Sequence, residues 1–267
     1  MKAVNKKRSY ILFIDSGMGG ISILQHFLNK IQNVNVIYYA DNKNYPYGLK
    51  DEITIGNYLL DIYNYTVSEY DIKLIVIACN TASVSALNFL REKIDIPIIG
   101  TVPAVKVAAE ISKNGKIGII ATETTVKLNY LSNLINKFTD GKEVFVKPSK
   151  KLVDAVENDY STTITREIIE EELTFFKEKS IDTLVLGCTH YSFLTELIND
   201  FFENKVDIVD SGEGVSNRIL NLMPKEVIEN NSSDSKLILS YGDDKILKKY
   251  DKFKTQLKIF NEIKVRI

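Results

Sequence analysis

The chain has 267 residues, with 34 Lys and Arg against 35 Asp and Glu and a formal net charge of −1. Hydrophobic residues make up 45% and charged residues 26%, which excludes a disordered tail and fits a folded globular protein. Without a basic excess, composition does not favour nucleic acid or an anionic membrane surface as a partner, and no apolar run approaches the ~18 residues of a bilayer span. Near the N-terminus a basic segment precedes an apolar run, Tyr10–Ile14. Asp15 breaks that run short of the ~7–15 residues of a secretory signal, so a cytoplasmic protein is expected. The length suits one large core or two units of roughly 100–150 residues.

In chain order, short apolar runs predict strands at Tyr10–Ile14, Val36–Tyr39, Leu74–Ala78, Ile96–Ile99, Lys116–Ala121, Glu143–Val146, Thr183–Gly187, Val206–Val209 and Leu237–Tyr241. Most are continuous rather than alternating, as in strands buried on both faces. Apolar residues at three-to-four spacing predict helices at Ser22–Asn29, Asn57–Tyr70, Ala82–Lys93, Thr124–Lys137, Ile164–Lys179, Phe193–Glu203 and Ser216–Leu222. Alternation of strand and helix means mainly parallel sheets covered by helices, the α/β class. The best boundaries lie near Pro97–Pro103 and Asp210–Gly214. The polar stretch Glu229–Lys236 reads as an exposed loop, and the basic stretch Lys245–Lys254 as a solvated helix face.

Comparing strand ends reveals an internal repeat. Residues 72–81 (IKLIVIACNT) resemble residues 182–189 (DTLVLGCT): an apolar strand, a small residue, then Cys and a hydroxyl or amide residue. Cys79 and Cys188 are 109 positions apart, and the strand-end residues Asp15 and Thr122 are 107 apart. Two pairs at nearly one offset indicate two pseudo-symmetric α/β units.

In open α/β sheets, ligands bind beyond the carboxyl ends of strands. The turn Asp15–Gly20 (DSGMGG) offers glycines for close backbone approach to a ligand and free N–H groups for an anion. It is neither a dinucleotide fingerprint nor a P-loop. Glycines alone would fit an ordinary turn, but a carboxylate at a strand end is a candidate acid/base group. Cys79, followed by Asn80 and Thr81, precedes a predicted helix whose dipole would favour the thiolate. Cys188, followed by Thr189 and His190, repeats the arrangement with an imidazole two residues away, suited to proton transfer near neutrality. Buried, inert cysteine is the default for a cytosolic chain; the polar company weighs against it here. Thr122 could simply cap a helix, and His26 reads as structural. The absence of C-x-x-C and H-E-x-x-H argues against a zinc site or a thioredoxin-like activity.

These blocks resemble the glutamate racemases, cofactor-independent amino-acid racemases of bacterial cell-wall synthesis. The matching segments are 14–20 (IDSGMGG), 39–42 (YADN) leading to 46–48 (PYG), 77–82 (IACNTA) and 186–191 (LGCTHY), in the family's order over about residues 10–245. The resemblance implies two pseudo-symmetric three-layer α/β domains with the active site in the cleft between them. Residues 1–98 with 211–267 would form the first domain, and residues 99–210 the second. Cys79 and Cys188 would be the two acid/bases, assisted by Asp15 and His190 respectively. Ser16, Pro46, Tyr47, Gly48, Asn80, Thr81, Thr122, Thr125 and Thr189 would line the substrate site. Glu157 matches a family carboxylate near the second cysteine, although the stretch before it reads KPSKK (147–151) where the family often has Cys-Pro. The resemblance further implies L- and D-glutamate as substrates, no cofactor, no metal and a homodimer. An aspartate racemase, a related one-cysteine enzyme, or a non-enzymatic amino-acid-binding protein are the alternatives.

Overall fold

A computed structural model describes residues 8–228, 234–257 and 260–266. Its strands are β1 (Ser9–Asp15), β2 (Val36–Ala40), β3 (Asp71–Ile77), β4 (Ile98–Gly100), β5 (Lys116–Ala121), β6 (Glu143–Pro148), β7 (Thr183–Gly187), β8 (Asp207–Val209), β9 (Ser235–Leu239) and β10 (Phe260–Val265). They form a six-stranded sheet in the order β10-β9-β2-β1-β3-β4 and a four-stranded sheet in the order β6-β5-β7-β8. All the ladders within these sheets are parallel. Parallel neighbours need crossovers, and these are α-helices that cover the faces.

The helices are α1 (Ile21–Leu28), α2 (Glu52–Glu69), α3 (Asn80–Arg91), α4 (Val105–Ile111), α5 (Glu123–Lys127), α6 (Asn129–Phe138), α7 (Lys151–Glu157), α8 (Thr162–Glu178), α9 (Thr195–Phe201), α10 (Gly212–Leu222) and α11 (Asp244–Leu257). Successive strand residues point to opposite faces. Ile11 and Phe13 therefore pack with Leu24 and Phe27 of α1, Ile219 of α10 and Tyr250 of α11. Leu12 and Ile14 pack on the other face with Leu59 of α2 and Ala86 of α3. The second sheet repeats the three layers. Ile120 and Leu186 face α7, α8 and α9, and Ile117 and Ile119 face α4 and α6.

The α/β class and the pseudo-symmetry follow expectation. The order β2-β1-β3-β4 is repeated as β6-β5-β7-β8, so β1 corresponds to β5 and β3 to β7. Strands β9 and β10 extend only the first sheet. Several details differ from the sequence reading. The edge strand β10 was not anticipated: only its first residue is buried, so it lacks the continuous apolar run of a central strand. The helices α4 and α7, seven residues each, are too short to show a helical period. The segment Thr124–Lys137 is two helices, because Leu128 takes extended backbone (φ −78°, ψ 139°). Strand β4 starts at Ile98, after a proline that cannot donate to a ladder. Of the loop expected at Glu229–Lys236, residues 229–233 lie outside the described residues, and Ser235 and Lys236 belong to β9. Among the described residues, no helix is long and apolar enough to cross a membrane.

Candidate active site

Four parallel strands deliver four side chains to one place. β1 ends in Asp15, β3 runs into Cys79 at the N-cap of α3, β5 runs into Thr122 at the N-cap of α5, and β7 runs into Cys188. Register keeps these ends level: Ile14 lies opposite Ile77, and Ala121 opposite Gly187. Cys79 and Cys188 are free, buried thiols, each 7% exposed. Both line a cavity of about 60 Å³, several times the ~10–15 Å³ that one water needs. Asn80, Thr81 and Ser16 share its wall with Pro46, Tyr47 and Gly48 from the first sheet's side, and Thr122, Thr189 and His190 complete it from the second. The hydroxyls of Thr81 and Thr122 meet at 3.0 Å, joining the two halves.

Three expected residues stand behind that wall. Thr125 is fully buried beneath Thr122, to which its hydroxyl comes within 3.0 Å. Asp15 is also fully buried; it accepts from the Gly17 N–H at 2.7 Å and the Thr189 hydroxyl at 3.5 Å. Glu157 lines a second cavity, with Met18, Lys249 and Tyr250, and reaches the site through His190. Tyr45, Leu49, Glu123, Lys150 and Val153 also line the first cavity, and sequence reading missed them. Tyr45 and Leu49 flank the PYG block and Glu123 follows Thr122, so adjacency was an available signal. Lys150 and Val153 had none, since only the docking of α7 brings them there. His26 lies apart, 3.4 Å from Asp210.

The glycine turn works differently from the sequence reading. A Cβ on Gly17 would stand 2.4 Å from Glu157 Oε1, and one on Gly19 2.5 Å from His190 Nδ1. The bare backbone thus makes room for side chains of the other half rather than for a ligand. Its N–H groups are occupied too: Gly17 donates to Asp15, and Met18 donates to Glu157 Oε1 at 3.1 Å.

Electrostatics separate the two thiols. Burial, with the nearby Asp15 carboxylate, pushes the Cys79 thiol well above its ordinary range. The backbone N–H groups of Ala82 and Ser16 pull the other way and lose. The helix terminus alone therefore does not make Cys79 a thiolate, contrary to the expectation from its position. Around Cys188 the arrangement is different. His190 presents Nδ1 to the sulfur at 3.6 Å and Nε2 to Glu157 Oε1 at 2.7 Å. With Glu157 accepting at Nε2, a sulfur that accepts at Nδ1 would make both nitrogens donors, which is the imidazolium form. Burial opposes that charge, but the contacts with Cys188 and Glu157 outweigh it and hold the His190 pKa well above its usual value. Burial likewise opposes the Glu157 anion, yet His190 and Lys249 pull its pKa down to about 2. Asp15, without a cation in contact, is pushed up by burial to about 6, with the His190 charge opposing.

Several buried polar atoms among the described residues lack a partner, and one of them, Asn80 Oδ1, belongs to a residue that lines the cavity. Asn80 is 2% exposed and its Nδ2 donates weakly to the Thr101 carbonyl at 3.4 Å, while Oδ1 is buried and unsatisfied. Such an atom costs roughly 1–3 kcal/mol unless a donor arrives. Among the described residues, no group of three or more His, Cys, Asp or Glu is placed to hold a metal ion.

A family model described as Asp/Glu/hydantoin racemase matches residues 21–214. The glutamate racemase of Aliivibrio fischeri is 37% identical over 225 residues, 82% of this chain and 83% of that protein. The Escherichia coli glutamate racemase, solved with L-glutamate and the activator UDP-MurNAc-ala, superposes with a TM-score of 0.84 at 29% identity, covering 97% of this chain and 98% of that one. That of Francisella tularensis, solved with D-glutamate, gives 0.80 at 25% identity, covering 98% of both chains. With a family match over most of its length and a relative at 37% identity, the chain belongs to the Asp/Glu/hydantoin racemase family.

Proposed function

We propose that this chain interconverts L- and D-glutamate by passing the α-proton between two thiols on opposite sides of one carbon. The observation that carries this reading is the pair of free cysteines, at equivalent strand ends of two matching sheets, on the wall of one cavity. Racemisation requires removal of a proton from one face and delivery to the other, so each half supplies one group.

At rest one cysteine must be thiolate and the other thiol, with the roles exchanged for the opposite enantiomer. For one enantiomer, the Cys188 sulfur takes the α-proton, and the C–H electron pair moves onto the carbon and its carboxylate. Cys79 then gives its S–H proton to the opposite face. The product is the mirror image, and the thiols have exchanged states. Starting from the other enantiomer, Cys79 is the base, and Asp15 assists it: a pKa of about 6 lets that carboxyl hold or release a proton near neutrality.

No electron sink is invoked, so fixed donors must stabilise the carbanion. Asn80, Thr81, Thr189 and the N-terminal N–H groups of α3 are preorganised for a carboxylate. The unsatisfied Asn80 Oδ1 suits the substrate ammonium. Ser16, Pro46, Tyr47, Gly48 and Thr122 enclose the remainder, with Thr125 bracing Thr122. The two bodies that close on the substrate and expel water are residues 1–98 with 211–267 and residues 99–210, save that Ile99 and Gly100 complete β4 and go with the first. On the same resemblance, the enzyme is a cytoplasmic homodimer that supplies D-glutamate for peptidoglycan. Light scattering at micromolar protein tests the dimer.

Circular dichroism of L-glutamate, incubated with the protein and no added cofactor, tests the activity. The expected signal decays to zero, and D-glutamate decays to zero from the opposite sign. A constant signal with both enantiomers overturns the reading, and faster decay with aspartate transfers it to that substrate.

A further inference from the structure

The basic stretch Lys245–Lys254 lies within α11, and one of its lysines turns inward. The Lys249 side chain is 25% exposed and its Nζ pairs with Glu157 Oε2, 92 positions away in sequence. The other oxygen, Oε1, takes His190 Nε2 and the Met18 N–H. His190 in turn faces Cys188 through Nδ1. A continuous line of charged contacts therefore runs from the C-terminal helix to one of the two thiols. Packing fixes its far end: Tyr250, the next residue of α11, is 1% exposed in the core of the first sheet.

We propose that Lys249 is a positioning residue, which neutralises and pins Glu157 and so sets the charge that His190 presents to Cys188. This rests on the two-thiol reading above. The other titratable groups around Glu157 and His190 are Asp15, Cys188 and the phenols of Tyr38, Tyr45 and Tyr250, and Asp159, Asp243, Lys245 and Lys248 line the same cavity as Glu157. Among the described residues, Lys249 is the lysine that pairs with the Glu157 carboxylate. With Lys249 present, Glu157 and Lys249 together are neutral. Without it, an uncompensated anion would hold the imidazolium more tightly. Met18 and His190 would still hold the carboxylate in place, so loss of charge dominates over loss of position.

The chain contains two histidines, which makes the test direct. In the full-length protein with labelled histidine, NMR titration should show the His190 signal of Lys249→Met moving to higher pH by roughly one unit. That is the order expected of one elementary charge ~7 Å away at an effective dielectric of ~20–40. His26, paired with Asp210, stays in place and reports that the fold is intact. The alkaline limb of kcat/KM, where the imidazolium is lost, should move up by a similar amount. Lys249→Arg should restore both, and Lys245→Met, an exposed lysine one turn earlier on α11 that lines the same cavity as Glu157, should shift both by much less. If Lys249→Met does not fold, Lys249→Gln is read in the same way. Superimposable titrations for wild type and the neutral variants, or an equal shift with Lys245→Met, would overturn the proposal. A shifted His190 signal in a protein that does not racemise glutamate would leave the charged line standing and remove the two-thiol reading. Normal racemisation with an unmoved His190 would do the reverse.

Discussion

Cys79 and Cys188 are equally buried, yet their neighbours carry opposite charges: a carboxylate beside one and an imidazolium beside the other. Both are required if each serves one face. Cys79→Ala and Cys188→Ala should each lower glutamate racemisation by at least about 10²–10⁴-fold, the usual worth of a positioned acid or base. A fully active Cys188→Ala enzyme, followed by circular dichroism, would sink the two-base model. Asp15 makes a separate claim. Its pKa of about 6 means that it is ionised above that pH and protonated below it. Activity that depends on its anion should fall as pH drops through 6. In Asp15→Asn that limb should vanish from the pH profile, with a lower plateau at neutral pH.

At the scale of elements, the connection from β1 to α1 shows how a turn can be a docking surface. Gly19 has no room for a methyl group because His190 lies against it. Gly19→Ala should displace the imidazole, cutting activity while leaving the melting temperature within a few degrees of wild type. Gly214, inside α10, faces open space: a methyl group there would meet nothing within 4 Å. Gly214→Ala should instead raise stability by about 0.5–1 kcal/mol, seen in urea unfolding, without changing kcat. The buried strands were legible because both faces are covered, so Ile11–Ile14 or Leu184–Leu186 read as unbroken apolar runs. The thiol-bearing strand ends were legible because duplication repeats their local pattern. What did not show was anything set by docking: β10 as an edge partner of β9, α7 bringing Val153 to the cavity, and Lys249 meeting Glu157. In a run of alternating lysines, one inward residue looks the same as its solvated neighbours until the helix axis is known.

At the scale of the molecule, the linked ion pairs set a pH window for stability. Glu157 has its pKa lowered from its ordinary 4.5 to about 2, so its contribution is complete above about 4.5 and is lost as pH falls through 2. The shift corresponds to the order of 3 kcal/mol. His190 is raised, so its contribution is complete below its ordinary 6.5 and is lost as pH rises through its higher folded value. The pair is fully stabilising between about 4.5 and 6.5. Glu157→Gln should therefore lower the melting temperature most in that range, with the difference shrinking toward pH 2. A flat difference across acid pH would contradict this assignment.

The repeated strand order carries a consequence for kinetics. The two halves of the fold are related by an approximate rotation, whereas the two substrates are related by reflection, and their free energies in water are identical. The equilibrium constant is therefore unity, and kcat/KM must be the same from either enantiomer, at any pH and in any variant. The unlike neighbours of the two thiols cannot alter that balance. They can only make one direction faster and less tightly saturated than the other, so the ratio of the two turnover numbers always equals the ratio of the two Michaelis constants.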